Sequence, residues 1–197
     1  MARRPGWSTE YLNDGGPLIV LPRELLAAWS GSEGEPTSQE FPFGPDYARA
    51  CQADHPAALL QVGSGLGLVV GAQEHLYPVH WIDLPAQEGV ALVGWMYGDD
   101  DASFEVAALL EQDGPGWRCL DPRIDLLGGE LLLLHAADIG SDLDELETFG
   151  ELQAMIADAI PIRLKPGAYK LEIMEVGGDL DEDSLGCLLC RWLPADR

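Results

Sequence analysis

Basic residues are scarce in this chain. Of 197 residues only 11 are Lys or Arg, against 34 Asp and Glu, for a formal net charge of −23. A nucleic-acid ligand needs Lys and Arg to neutralise its phosphates, so DNA or RNA binding is not expected. Attachment to an anionic membrane surface is disfavoured for the same reason. Lysine occurs only as Lys165 and Lys170, and asparagine only as Asn13. With many Gly, Ala, Leu and Asp, that usage points to a GC-rich genome of bacterial type. Long apolar runs are missing too. The longest, Leu126 to Ala137, is interrupted by Gly128, Gly129, Glu130 and His135 and falls short of the roughly 18 residues of a membrane span. Arg3-Arg4 is followed by no apolar segment, so no signal peptide is read and the expected location is the cytoplasm.

Cysteines are few: Cys51, Cys119, Cys187 and Cys190. Widely spaced and without an export signal, they read as buried thiols rather than a disulfide framework. Cys187 and Cys190 have Cys-x-x-Cys spacing, but they lie in an apolar strand-like run, where residues three apart face opposite sides. Neither a metal nor a cofactor is expected. Asp179 to Asp183 resembles the start of a calcium loop, but Ser184 stands where Gly is needed and Cys190 where Glu is needed. Gly63-Ser64-Gly65-Leu66-Gly67 is a tight turn rather than a phosphate-binding loop. His55, His75, His80 and His135 are scattered, and no nucleophile elbow or paired acid/base motif is present. No catalytic residue is assigned, and the chain is read as not an enzyme.

What the chain does have is a globular composition. Hydrophobic residues are 47% and charged residues 23%, the usual mix for a packed domain. One domain over 1–197 is expected. Gly15-Gly16-Pro17 leads into an apolar strand ending at Pro22. Pro22 suits the first position of a short helix over 23–29, where its missing N–H costs nothing. A Gly/Ser/Pro-rich loop follows, then a helix over 45–52 and a hairpin around Gly63-Ser64-Gly65. Tyr77 to Leu84 and Val90 to Tyr97 read as strands, with a bulge at Gly94. A helix over 102–111 follows Asp99-Asp100-Asp101. Trp117 to Leu120, Ile124 to Leu127 and Glu130 to His135 read as three strands, the last two joined by a hairpin turn. Asp138 to Asp158 has the pattern of an amphipathic helix. Ile160 to Leu164, Tyr169 to Val176 and Cys187 to Leu193 complete about ten strands. The expected class is α+β, mainly antiparallel β-sheet with three or four short helices.

The N-terminal third carries a recognisable pattern. Trp7, then Gly15-Gly16-Pro17-Leu18-Ile19-Val20-Leu21-Pro22, Leu25-Leu26, Trp29-Ser30-Gly31 and Asp46-Tyr47-Ala48-Arg49-Ala50-Cys51 resemble the immunity protein 21 family of bacterial polymorphic toxin systems. Leu164 to Leu171 is similar as well, whereas Asp142 to Ala159 reads as an insertion. The resemblance implies a cytoplasmic protein that binds and blocks a cognate toxin. Trp7, Gly15, Gly16, Pro17, Trp29, Asp46, Tyr47 and Cys51 are then structural motif residues. The charge agrees, because nuclease toxins tend to be basic and an inhibitor presenting carboxylates would occupy the same surface. The preferred partner-binding residues are Asp142, Asp144, Glu145 and Glu147, followed by Asp99, Asp100 and Asp101; Asp179 to Asp183 is a third candidate. A small hydrolase or ligand-binding domain with a carboxylate-lined pocket is the alternative, marked by a few acids converging in one apolar pocket. A scaffold whose acidity serves only solubility is a third reading.

Overall fold

The fold rests on two strands that are buried on both faces, each at the middle of its own sheet. A computed structural model describes residues 15–36, 38, 41–72, 76, 78–97, 102–140, 160–177 and 186–195. The strands are β1 (Leu18–Pro22), β2 (Ala57–Val62), β3 (Gly65–Val70), β4 (Val79–Leu84), β5 (Gly89–Tyr97), β6 (Arg118–Leu126), β7 (Glu130–His135), β8 (Ile160–Arg163), β9 (Gly167–Val176) and β10 (Gly186–Pro194). The helices among the described residues are a 3-10 helix at Arg23–Ala28, α1 (Pro45–Cys51) and α2 (Ala102–Glu111). Two five-stranded sheets result, ordered β2-β3-β1-β7-β8 and β4-β5-β10-β9-β6. The chain divides into two compact units, residues 14–75 with 124–167, and residues 1–13 with 76–123 and 168–197.

In the first of these units β1 pairs antiparallel with β3 on one side and β7 on the other. All five β1 residues are buried, which explains a run with no polar alternation. Ile19 and Leu21 join Leu25, Leu26, Trp29, Val69, Leu132 and Leu134 in one core. Pro22 does not open the helix as expected. It is still a strand residue, paired with Leu131, and the segment after it is a 3-10 helix of six residues. Leu25 and Leu26 are both buried there. The β2–β3 hairpin turns at Gly63-Ser64 as read, with Val62 opposite Gly65.

In the other unit β10 lies between β5 and β9. Its first eight residues are buried. Val106 and Leu110 of α2, one helical turn apart, share a core with Ile82, Ala91, Val93, Leu189 and Leu193. One buried cation sits in this apolar strand: Arg191, 2% exposed. The bulge is not at Gly94, which pairs regularly with Leu188 and Val79. The register slips instead between Trp95 and Tyr97, opposite Cys187 and Gly186. Gly94 serves space: a Cβ there would lie 2.7 Å from Leu76 Cδ1.

Three further expectations are corrected. The two strands expected at Trp117 to Leu120 and Ile124 to Leu127 are one, β6 (Arg118–Leu126), with Pro122 inside it. Proline is tolerated because β6 is an edge strand, with an unpaired side that needs no N–H. The turn at Leu127 to Glu130 is not a hairpin, since β6 and β7 belong to different sheets. The class is mainly antiparallel β rather than α+β, because the described helices are only 6, 7 and 10 residues long. Of the helix expected over Asp138 to Asp158, all but residues 138–140 lies outside the described residues.

Candidate functional site

The motif residues scattered through the N-terminal third meet at one place beside β1 and β7. Gly15 and Gly16 both have positive φ, +121° and +83°, and turn the chain into β1. The Gly16 turn leaves no room for a side chain: a Cβ would lie 2.8 Å from Tyr47 Oη and 3.1 Å from His135 Nε2. Pro17 O accepts from Ala136 N–H at 3.0 Å, which extends the β1–β7 pairing. His135 Nδ1 accepts from Ala137 N–H at 3.2 Å. Its Nε2 therefore carries the hydrogen and donates to Gly15 O at 2.6 Å.

Trp29 follows the 3-10 helix and is 1% exposed. Its indole N–H donates to Ala136 O at 3.1 Å. Ser30 N–H and Ser30 Oγ both donate to Asp46 Oδ2 at 2.8 Å, so the first turn of α1 is tied to the chain after Trp29. Gly31, at φ +57°, comes so close to Ala137 and Asp138 that a Cβ would lie 2.2 Å from Asp138 O. Gly31 O accepts from Tyr47 N–H at 3.0 Å. Tyr47 and Cys51 share a side-chain hydrogen bond one turn apart on α1. Burial, with the neighbouring Cys51, pushes the Tyr47 hydroxyl up. Gly15, Gly16, Pro17, Trp29, Asp46, Tyr47 and Cys51 thus form an interlocked structural cluster. Trp7 lies outside the described residues, as do Asp99, Asp100, Asp101, Asp142, Asp144, Glu145, Glu147 and the stretch Asp179 to Asp183.

Burial acts on the Asp46 carboxyl upward, but the hydrogen bonds from Ser30 N–H, Arg49 and the Ser30 hydroxyl, with the Arg49 charge, hold it below its ordinary 3.8. A depressed carboxylate stabilises the fold fully above its unfolded value, and the contribution is lost as pH falls through the folded one. The stability difference between wild type and Asp46→Asn is expected to be flat near pH 6 and to shrink below about pH 4. Chemical denaturation across that range checks this; a difference that grows on acidification contradicts it.

Two phenylalanines were not singled out in the sequence. Phe41 and Phe43 pack edge-on at 5.6 Å between ring centres, and Phe43 meets Tyr47 edge-on at 5.3 Å. Tyr47 in turn faces His135 at 6.0 Å. Phe43 is 43% exposed. The available signal was two aromatics at alternate positions in a polar loop, Phe41-Pro42-Phe43.

The Cys-x-x-Cys residues sit inside β10, both fully buried. Desolvation pushes the Cys187 thiol up to about 12 and raises Cys190 as well, with the Glu175 charge adding there. Thiols held protonated are poor metal ligands. Among the described residues no group of three or more His, Cys, Asp or Glu is placed to hold a metal ion. At about pH 8 a thiol reagent is expected to label exposed Cys119 first and to reach Cys187 and Cys190 only on unfolding. Purified protein carrying one equivalent of zinc, or rapid labelling of all four thiols, contradicts this.

The family model of immunity protein 21 matches residues 10–182, most of the chain, and the chain belongs to that family. No curated protein and no solved structure matches it. No described helix is long and apolar enough to cross a membrane.

Proposed function

We propose that this protein is a non-enzymatic immunity protein of a bacterial polymorphic toxin system, which binds a cognate toxin domain in the cytoplasm and blocks it by covering its surface. The family match over residues 10–182 carries this reading. The net charge of −23 supports a basic toxin, such as a nuclease that must hold phosphates. Complementary charge would speed the encounter and compete with the toxin's own ligand. Residues 1–197 are read as a single immunity-protein domain, since the family match over residues 10–182 spans chain segments of both units.

The acidic stretches are the steering surface. Asp142, Asp144, Glu145 and Glu147 come within seven residues after Gly140, whose N–H donates to Trp29 O at 2.8 Å. Asp99, Asp100 and Asp101 directly precede α2. The toxin domain encoded beside this chain's gene should arrest growth when expressed alone and not when co-expressed with the chain. Replacing Asp142, Asp144, Glu145 and Glu147 together by Ser should slow association and flatten its salt dependence while the fold stays intact. Growth arrest despite co-expression contradicts the immunity function, and unchanged association kinetics places the steering surface elsewhere.

A further inference from the structure

Trp29 and Trp192 are buried, at 1% and 0% exposure, whereas Phe43 keeps 43% of its surface in solvent. Phe41 and Tyr47 beside it are half-buried. An aromatic that only filled the loop would be covered by it, whereas a solvent-facing ring supported from below by other rings has the form of an interface anchor. The backbone brings carboxylates alongside. Gly44 N–H donates to Ser32 O at 2.9 Å, and the Gly44 α-carbon lies against Glu33 O. Gly34 packs against Pro45. The segment carrying exposed Glu33 and Glu35 therefore runs along the residues that follow Phe43. The nearby cation, Arg49, is already engaged by Asp46 Oδ1 and by Gln61 O at 2.9 Å.

We infer that the Phe41, Phe43 and Tyr47 cluster, with Glu33 and Glu35 at its side, is a docking surface for an arginine side chain presented by the toxin; this rests on the immunity function proposed above. Arginine is the chemistry that suits both parts. Its guanidinium plane stacks on an aromatic face while its N–H groups pair with carboxylates. A second copy of this chain is a poor occupant, because pairing would set −23 against −23. The acidic stretches steer the encounter, and the aromatic cluster sets how long the complex lasts.

The test measures binding of the purified toxin domain encoded beside this chain's gene to wild type, Phe43→Ala, Phe43→Leu and the double variant Glu33→Gln, Glu35→Gln. Phe43→Ala is expected to weaken binding about thirtyfold, chiefly through faster dissociation. Phe43→Leu keeps apolar bulk without a π-face, so it should fold as wild type and still bind about fivefold more weakly. The double Gln variant should associate more slowly with a shallower salt dependence. Wild-type binding by all three variants overturns the docking surface and leaves the immunity function standing. Failure of wild type to bind the toxin overturns both.

Discussion

Replacing Arg191 by Ala is expected to cost about 3–5 kcal/mol of folding stability. The strand around this residue is apolar and its side chain is 2% exposed, so its charge must be satisfied within the protein. Arg191 Nε donates to Glu172 Oε2 at 2.7 Å, and Nη2 donates to Asp113 Oδ1 at 2.9 Å. Nη1 donates to the carbonyls of Leu110 and Gln112 at 3.2 and 3.1 Å. The guanidinium carbon lies 4.0 Å from the centre of the Trp117 ring. Its main work is to close the end of α2. That helix has no basic residue in its last turn, and Arg191 brings a cation from β10 to carbonyls that otherwise accept from neutral donors, Gln87 Nε2 at Leu110 O (3.2 Å) and Trp117 Nε1 at Gln112 O (3.1 Å). The Asp113 pair adds little, because that carboxylate side chain is 93% exposed. In Arg191→Ala those carbonyls lose their charged donor and, among the described residues, Glu172 keeps Lys170, at 3.1 Å. Arg191→Lys should recover only part of the loss, since one ammonium cannot reproduce the planar fork. Denaturant unfolding of the three proteins checks this. A loss below about 1 kcal/mol in Arg191→Ala would show the clamp to be incidental.

The second large effect belongs to Trp29. Trp29→Ala is expected to cost about 3–5 kcal/mol, the range for emptying a buried aromatic site. Trp29→Phe keeps most of the apolar contact but leaves Ala136 O without its donor, and should cost about 1–3 kcal/mol. The contrast bears on what the family motif is for. Trp29, Asp46 and Gly31 hold the chain after β1, the start of α1 and the chain after β7 together. If they are structural, a folded Trp29→Phe protein binds toxin as wild type does. Full stability with lost binding would instead make Trp29 a contact residue.

What could be read in advance followed from local chemistry. The two central strands were legible as apolar runs at Leu18–Pro22 and Cys187–Leu193, the second broken only by Arg191. Gly63-Ser64 marked its hairpin, and the helices at 45–51 and 102–111 were marked by Pro45 at the first helical position and by the stop at Gly114. Long-range pairing was not legible. Nothing in Leu127-Gly128-Gly129-Glu130 distinguishes a hairpin from a passage between two sheets. Nor does the composition of Arg191 and Asp113, 78 residues apart, announce that they meet. The bulge fell at Met96 rather than Gly94 because glycine there serves Leu76 instead of the register. At the site, the motif residues were named, but their convergence and the Phe41–Phe43 pair needed the fold. The acidic stretches remain a matter of charge, which sequence alone supplies.

On the proposed function, this chain neutralises a toxin by binding it, not by altering it. Titrating the purified chain into a fixed concentration of the active toxin domain, well above the dissociation constant, tests that most directly. Inhibition should rise linearly and end at a fixed stoichiometric ratio, with intact toxin recovered when the complex is separated. Complete inactivation by a small fraction of an equivalent, or recovered toxin that stays inactive, would contradict it.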